Sequence, residues 1–99
     1  MIDLNEMAEQ MYDVALKREE HSPYMNSLTS VELLKHLAGE VVEASMGYGL
    51  GAEPYRKELG DILCITMLLA YKEDFDIEAM LQETLDKNTN RANRTGDKL

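Results

Sequence analysis

The chain has 99 residues, 19 of them acidic and 10 basic, for a net charge of −9, with 44% hydrophobic and 29% charged content. That length holds one domain, residues 1–99, around a single modest core. The composition excludes disordered and collagenous chains, and the acidic balance argues against nonspecific binding to nucleic acid or an anionic membrane.

Asp3, Glu6, Glu9 and Asp13 near the start leave no apolar h-region, so no secretory signal is expected. The longest apolar run, Ile62 to Tyr71, is too short to span a bilayer. The expectation is a soluble cytoplasmic protein. The single cysteine, Cys64, reads as a small core residue in a reducing compartment.

Leu4, Met7, Ala8, Met11, Val14 and Ala15 recur at steps of three and four, which predicts an amphipathic helix over 3–20. His21-Ser22-Pro23-Tyr24 ends it, because the residue before proline avoids the helical region. Tyr24 and Met25 on this connector are candidates for ligand contact, against the commoner case of a tyrosine packed over a helix end.

Thr29-Ser30-Val31-Glu32 fits a capping box at the start of a second helix. Leu34, Leu37, Val41, Ala44 and Tyr48 are its expected apolar stripe, with Glu40 at the border and Glu43 nearer the polar side. The helix should dissolve in Gly47-Tyr48-Gly49-Leu50-Gly51. Pro54 suits the first turn of a third helix running to about residue 72. The later part of that helix is apolar on every side and must be covered all round. Three amphipathic neighbours in so short a chain would struggle to do that, so a homo-oligomer is expected. Asp61 shares a side with Ile65 and Leu68 and is expected among apolar neighbours, where a lone ionised carboxylate is costly.

Asp76 is a suitable N-cap for a fourth helix from 77 to about 92, with Ile77, Met80, Leu81, Thr84 and Leu85 facing inward. That stripe continues into Asn88 and Arg91, with Lys87 on its flank. Lys87, Arg91, Arg94 and Lys98 gather basic charge toward the end of the chain, where it either meets a phosphate-bearing ligand or complements the helix dipole. Residues 95–99 are expected to be a frayed tail.

Two acidic pairs stand out: Glu40 with Glu43, and Glu58 with Asp61. Residues three apart are neighbours on a helix, so each pair can present two carboxylates to one point, and a helical hairpin can bring the pairs together. Four carboxylates in a poorly hydrated place do not all stay ionised unless a cation is present. All-oxygen ligands favour magnesium or manganese over zinc or copper. A single such pair is most often a solvated face, whereas two on consecutive helices are a better signal. His36, one turn before Glu40, is a candidate ligand or hydrogen-bond partner, with a merely structural role as the bland reading. The chain has no His-Glu-x-x-His, no P-loop and no Gly-x-Ser-x-Gly.

The stretches Ala38-Gly39-Glu40-Val41-Val42-Glu43-Ala44, Lys57-Glu58-Leu59-Gly60-Asp61-Ile62-Leu63 and Lys87-Asn88-Thr89-Asn90-Arg91, in this order, resemble the MazG-like all-α nucleoside triphosphate pyrophosphohydrolases. The resemblance spans roughly residues 30–94. It implies an all-α, four-helix subunit that assembles as a homodimer or homotetramer. It also implies Mg2+ (or Mn2+) held by Glu40, Glu43, Glu58 and Asp61, a nucleoside triphosphate substrate, and phosphate contacts from Lys87, Asn88 and Arg91. The implied reaction is cleavage at the α–β bond to monophosphate and pyrophosphate. A phosphoribosyl-ATP pyrophosphatase-like enzyme and a noncatalytic helical binding or oligomerisation module are the alternatives.

Overall fold

A computed structural model describes residues 2–20 and 28–95, and among them there are four long helices and no strand. They are α1 (Leu4–Glu20), α2 (Ser30–Gly47), α3 (Ala52–Lys72) and α4 (Ile77–Thr95), with one turn of 3-10 helix at Tyr48–Leu50. The connector carrying Tyr24 and Met25, and residues 96–99 of the expected tail, lie outside the described residues. Thr95 belongs to α4.

The helix ends follow local chemistry. The Thr29 hydroxyl accepts from the Glu32 backbone N–H at 3.2 Å, capping α2 as its sequence predicts. The Glu32 carboxylate turns outward to Lys35, at 3.5 Å. After the 3-10 turn, Gly51 adopts φ +115°, which a side chain would oppose, and α3 begins. At the far end of α3, Asp74 takes φ +60°. The Phe75 N–H reaches the Ala70 carbonyl and the Asp74 N–H the Tyr71 carbonyl, closing the helix in a Schellman arrangement. Asp76 caps α4 by accepting from the Ala79 N–H at 3.2 Å.

α3 is the central element, with α1 and α2 both packed on it. Leu33, Ile65 and Leu68 form one core, joined by Met11, Tyr12, Ala15 and Leu37. A second, smaller core of Ala8, Ala70 and Ile77 fastens the start of α4. There Asn5 acts as a clasp: its Oδ1 accepts from the Ile77 N–H at 2.8 Å and its Nδ2 donates to Asp76 at 3.1 Å. The Ser30 hydroxyl donates to Glu73, tying the start of α2 to the end of α3. α2 and α3 therefore form an antiparallel hairpin, the geometry the acidic pairs require.

Three expectations about burial need correction. α2 faces the core with Leu33, Leu37, Glu40, Ala44 and Gly47, while Leu34, Val41 and Tyr48 are exposed. The helix is turned by about 60° from the expected stripe, at 100° per residue, because its apolar residues cover two sides and α3 selects one. Asp61 is exposed rather than sunk among apolar neighbours. Of the inward stripe expected on α4, only Ile77 is buried, and Leu81 and Leu85 stand 54% and 59% exposed.

α4 is fastened to the rest of the described bundle through Ile77, and further along it Asn88 is half-buried. No Cα of α4 comes within 8 Å of one in α2. The result is an elongated subunit of 51 × 35 × 28 Å with a radius of gyration of 15.9 Å, against about 13 Å for a compact chain of this size. α3 has an uncovered side as well, on which Leu63 is 64% exposed. No helix among the described residues is long and apolar enough to cross a membrane.

Candidate metal centre and the adjoining cavity

The rotation of α2 puts Glu40 in the middle of its buried face. From there its side chain, only 13% exposed, points at α3. Glu43, one turn on, lies at the edge of that face and remains exposed. Glu58 comes from the first half of α3, on the same line as Ile65, and is half-buried. The end of α2 closes over it: a Cβ on Gly47 would stand 3.6 Å from Glu58 Cγ.

Glu40, Glu43 and Glu58 each offer a carboxylate oxygen, and the three lie within 4.8 Å of one another. Glu40 Oε2 and Glu58 Oε2 are both buried without a hydrogen-bond partner. A buried, unsatisfied carboxylate oxygen is costly, and two of them facing a third carboxylate make a place that suits a cation. Burial, the Glu43 charge, contact with Glu58 and the Asp61 charge together push the Glu40 carboxyl above its ordinary value. A hard divalent ion with oxygen ligands fits this donor set.

Asp61, the fourth acid of the predicted set, is not within this group of three. It lies on the other flank of the α3 face and, with Glu40, lines a cavity of about 440 Å3 between α1, α2 and α3. His36 stands at the rim, its Nε2 3.2 Å from Glu40 Oε1. Among the predicted roles of His36, a partner of Glu40 is the one this geometry supports. Lys87, Asn88 and Arg91 lie in the second half of α4, no Cα of which comes within 8 Å of one in α2; Asn88 is half-buried and the other two are exposed. Sequence reading passed over Arg18, which lines the cavity from the last turn of α1. Its only signal is helical register, since it stands three residues beyond the half-buried Ala15.

The raised Glu40 carboxyl has a consequence for stability without metal. Below the ordinary value of 4.5, Glu40 is protonated in both folded and unfolded chains. As pH rises through the raised folded value, the folded state must ionise a carboxyl that the unfolded state ionised more easily, so this group's contribution falls. Thermal melts of metal-free protein are therefore expected to decline more steeply from pH 4.5 toward neutrality for the wild type than for Glu40→Gln. Identical slopes would mean that Glu40 is not electrostatically loaded.

The family model described as the MazG nucleotide pyrophosphohydrolase domain matches residues 28–95, from the entry of α2 to the end of α4. No curated protein and no solved structure matches the chain. The matched stretch contains all seven predicted site residues and leaves α1 outside it.

Proposed function

From the premise that this chain belongs to the MazG nucleotide pyrophosphohydrolase domain family, we propose that it hydrolyses a nucleoside triphosphate at the α–β bond. Water adds to phosphorus, the bridging P–O bond breaks, and its electron pair leaves with pyrophosphate, so that triphosphate plus water gives monophosphate plus pyrophosphate. Removal of unwanted nucleotides from the pool is the role this reaction suits.

The observation that carries the reading is the group of Glu40, Glu43 and Glu58, with two buried oxygens that lack a partner. These three, with Asp61 completing the set from the cavity side, would hold magnesium or manganese. When bound, the cation supplies charge neutralisation for the triphosphate, polarisation of the phosphoryl group and a more acidic water. Magnesium takes few carboxylates per ion, so the set also leaves a carboxylate able to accept the proton of the attacking water. His36, bonded to Glu40, fixes the orientation of that side chain.

Lys87, Asn88 and Arg91 contact the phosphates in this reading, Lys as a point charge and Arg as a planar fork. They do so in a homodimer or homotetramer. The exposed Met80, Leu81 and Leu85 of α4, and the uncovered sides of α2 and α3, are the apolar surface that a second copy would bury.

The test is incubation with a panel of ribo- and deoxyribonucleoside triphosphates, with and without magnesium, and separate detection of pyrophosphate and monophosphate. Equal amounts of both, only with metal, are expected. Orthophosphate with a nucleoside diphosphate would overturn α–β cleavage. No product from any nucleotide would overturn the reading, and phosphoribosyl-ATP would be tried before a noncatalytic module is accepted.

A further inference from the structure

The cavity beside the acidic group has two unlike ends. Glu40, Asp61 and His36 lie at one, and an apolar wall from Ala15, Leu28, Leu33, Ile65 and Leu68 continues from them, interrupted by Cys64 and Arg18. Its volume of about 440 Å3 falls within the range of roughly 300–1,000 Å3 typical of small-molecule sites. A nucleotide whose phosphates are held through a cation at Glu40 and Asp61 would have its flat, apolar-faced base directed along this wall.

The polar atoms left to meet that base are few. Glu40 and Asp61 would be taken up by the cation that carries the phosphates, and His36 is paired with Glu40. Arg18 remains, close enough for its charge to act on the Cys64 thiol, which burial and Asp61 push up and Arg18 pulls down. Lys35 and Arg56 spend their charge on Glu32 and Glu53, but among the described residues no carboxylate pairs with Arg18. A guanidinium only donates, so it is satisfied by a carbonyl oxygen and opposed by an exocyclic amino group.

We propose that Arg18 is a specificity-determining residue that selects oxo bases, guanine-like or uracil-like, over their amino counterparts seated in this cavity. This rests on the nucleotide reading above. α1 lies outside the family match at residues 28–95, so the selector belongs to this chain's own first helix. Guanine offers O6 and N7 to both arms of the fork, whereas uracil offers a single carbonyl. Adenine and cytosine present an amino group at the corresponding edge.

Two readouts test it. The first is kcat/KM for GTP against ATP and for UTP against CTP, with magnesium, in wild type, Arg18→Lys and Arg18→Met. A preference of about ten- to a hundredfold for the oxo member of each pair is expected from one charge-assisted hydrogen bond. It should shrink in Arg18→Lys and vanish in Arg18→Met, chiefly through KM. A preference for GTP alone narrows the ligand to an oxopurine, and one for UTP alone to an oxopyrimidine. The second readout needs neither metal nor turnover. Cys64 is the only thiol and lines the cavity, so its alkylation by iodoacetamide, followed by mass spectrometry, reports occupancy. Guanosine or uridine, which carry no phosphate to be repelled by the metal-free acids, should slow it more than adenosine or cytidine, and Arg18→Met should remove the difference. Turnover with no base preference, or an equal loss for all four nucleotides in Arg18→Met, overturns the proposal while the hydrolase reading stands. Selective protection of Cys64 without turnover of any nucleotide supports the base subsite and removes the hydrolase.

Discussion

Glu58→Gln is expected to lower pyrophosphate release by on the order of a hundredfold or more, the usual scale for losing one well-placed charge-stabilising group. It should do so without unfolding the chain. Glu58 Oε2 is buried and partnerless against two other carboxylates, so a neutral amide relieves repulsion in the metal-free protein and its melting temperature should not fall. The same variant should lose any rise in melting temperature produced by magnesium, because stabilisation by a ligand requires binding to the folded state. A rate within a few-fold of wild type would remove Glu58 from the site. Asp61→Asn is the companion measurement, since Asp61 stands outside the group of three and faces the cavity. A near-complete loss of turnover is expected there too. An unchanged rate would confine the cation to Glu40, Glu43 and Glu58.

Leu81→Glu with Leu85→Glu is expected to turn an oligomer into monomers. Leu81 and Leu85 are 54% and 59% exposed. Fully burying a leucine is worth about 1.5–3 kcal/mol, so covering what each still exposes is worth about 0.8–1.7 kcal/mol. In a two-fold symmetric pair each residue is counted twice, so the double substitution removes roughly 3–7 kcal/mol of association. That corresponds to about two to five powers of ten in the dissociation constant. Sedimentation or light scattering at micromolar protein reads it directly. If Lys87, Asn88 and Arg91 act only within the assembly, turnover should fall in parallel with the oligomer fraction. A wild-type protein that is already monomeric, or a double variant that still assembles, would overturn the role given to α4.

The acidic site was legible in outline before any coordinate. Spacing of three within each pair, and a glycine-rich turn between the helices that carry them, were enough to expect carboxylates converging across a hairpin. Register was harder. Leu34, Val41 and Tyr48 make as good an apolar line on α2 as Leu33, Leu37 and Ala44, and periodicity does not say which line meets α3. The wrong choice moved Glu40 from the centre of the buried face to its border, hiding the strongest electrostatic feature of the site. The error over Asp61 ran the other way. Its side of α3 is apolar in sequence, but the cavity between α1 and α2 leaves that flank open. Arg18 escaped notice because nothing local distinguishes it from any basic residue near a helix C-terminus.

The four helices, the Thr29 and Asp76 caps, the turn at Gly51 and the order of the acidic and basic motifs are written in local sequence. These depend on contacts between residues a few positions apart, which the order of residues specifies directly. Packing between helices set the rotation of α2, the choice of Glu40, Glu43 and Glu58 as the converging acids, the cavity reached by Arg18 and the separation of α4 from α2. Each of those depends on which of several apolar surfaces another helix covers. In a short chain with more apolar surface than its own core can bury, that choice is made by packing rather than by local pattern.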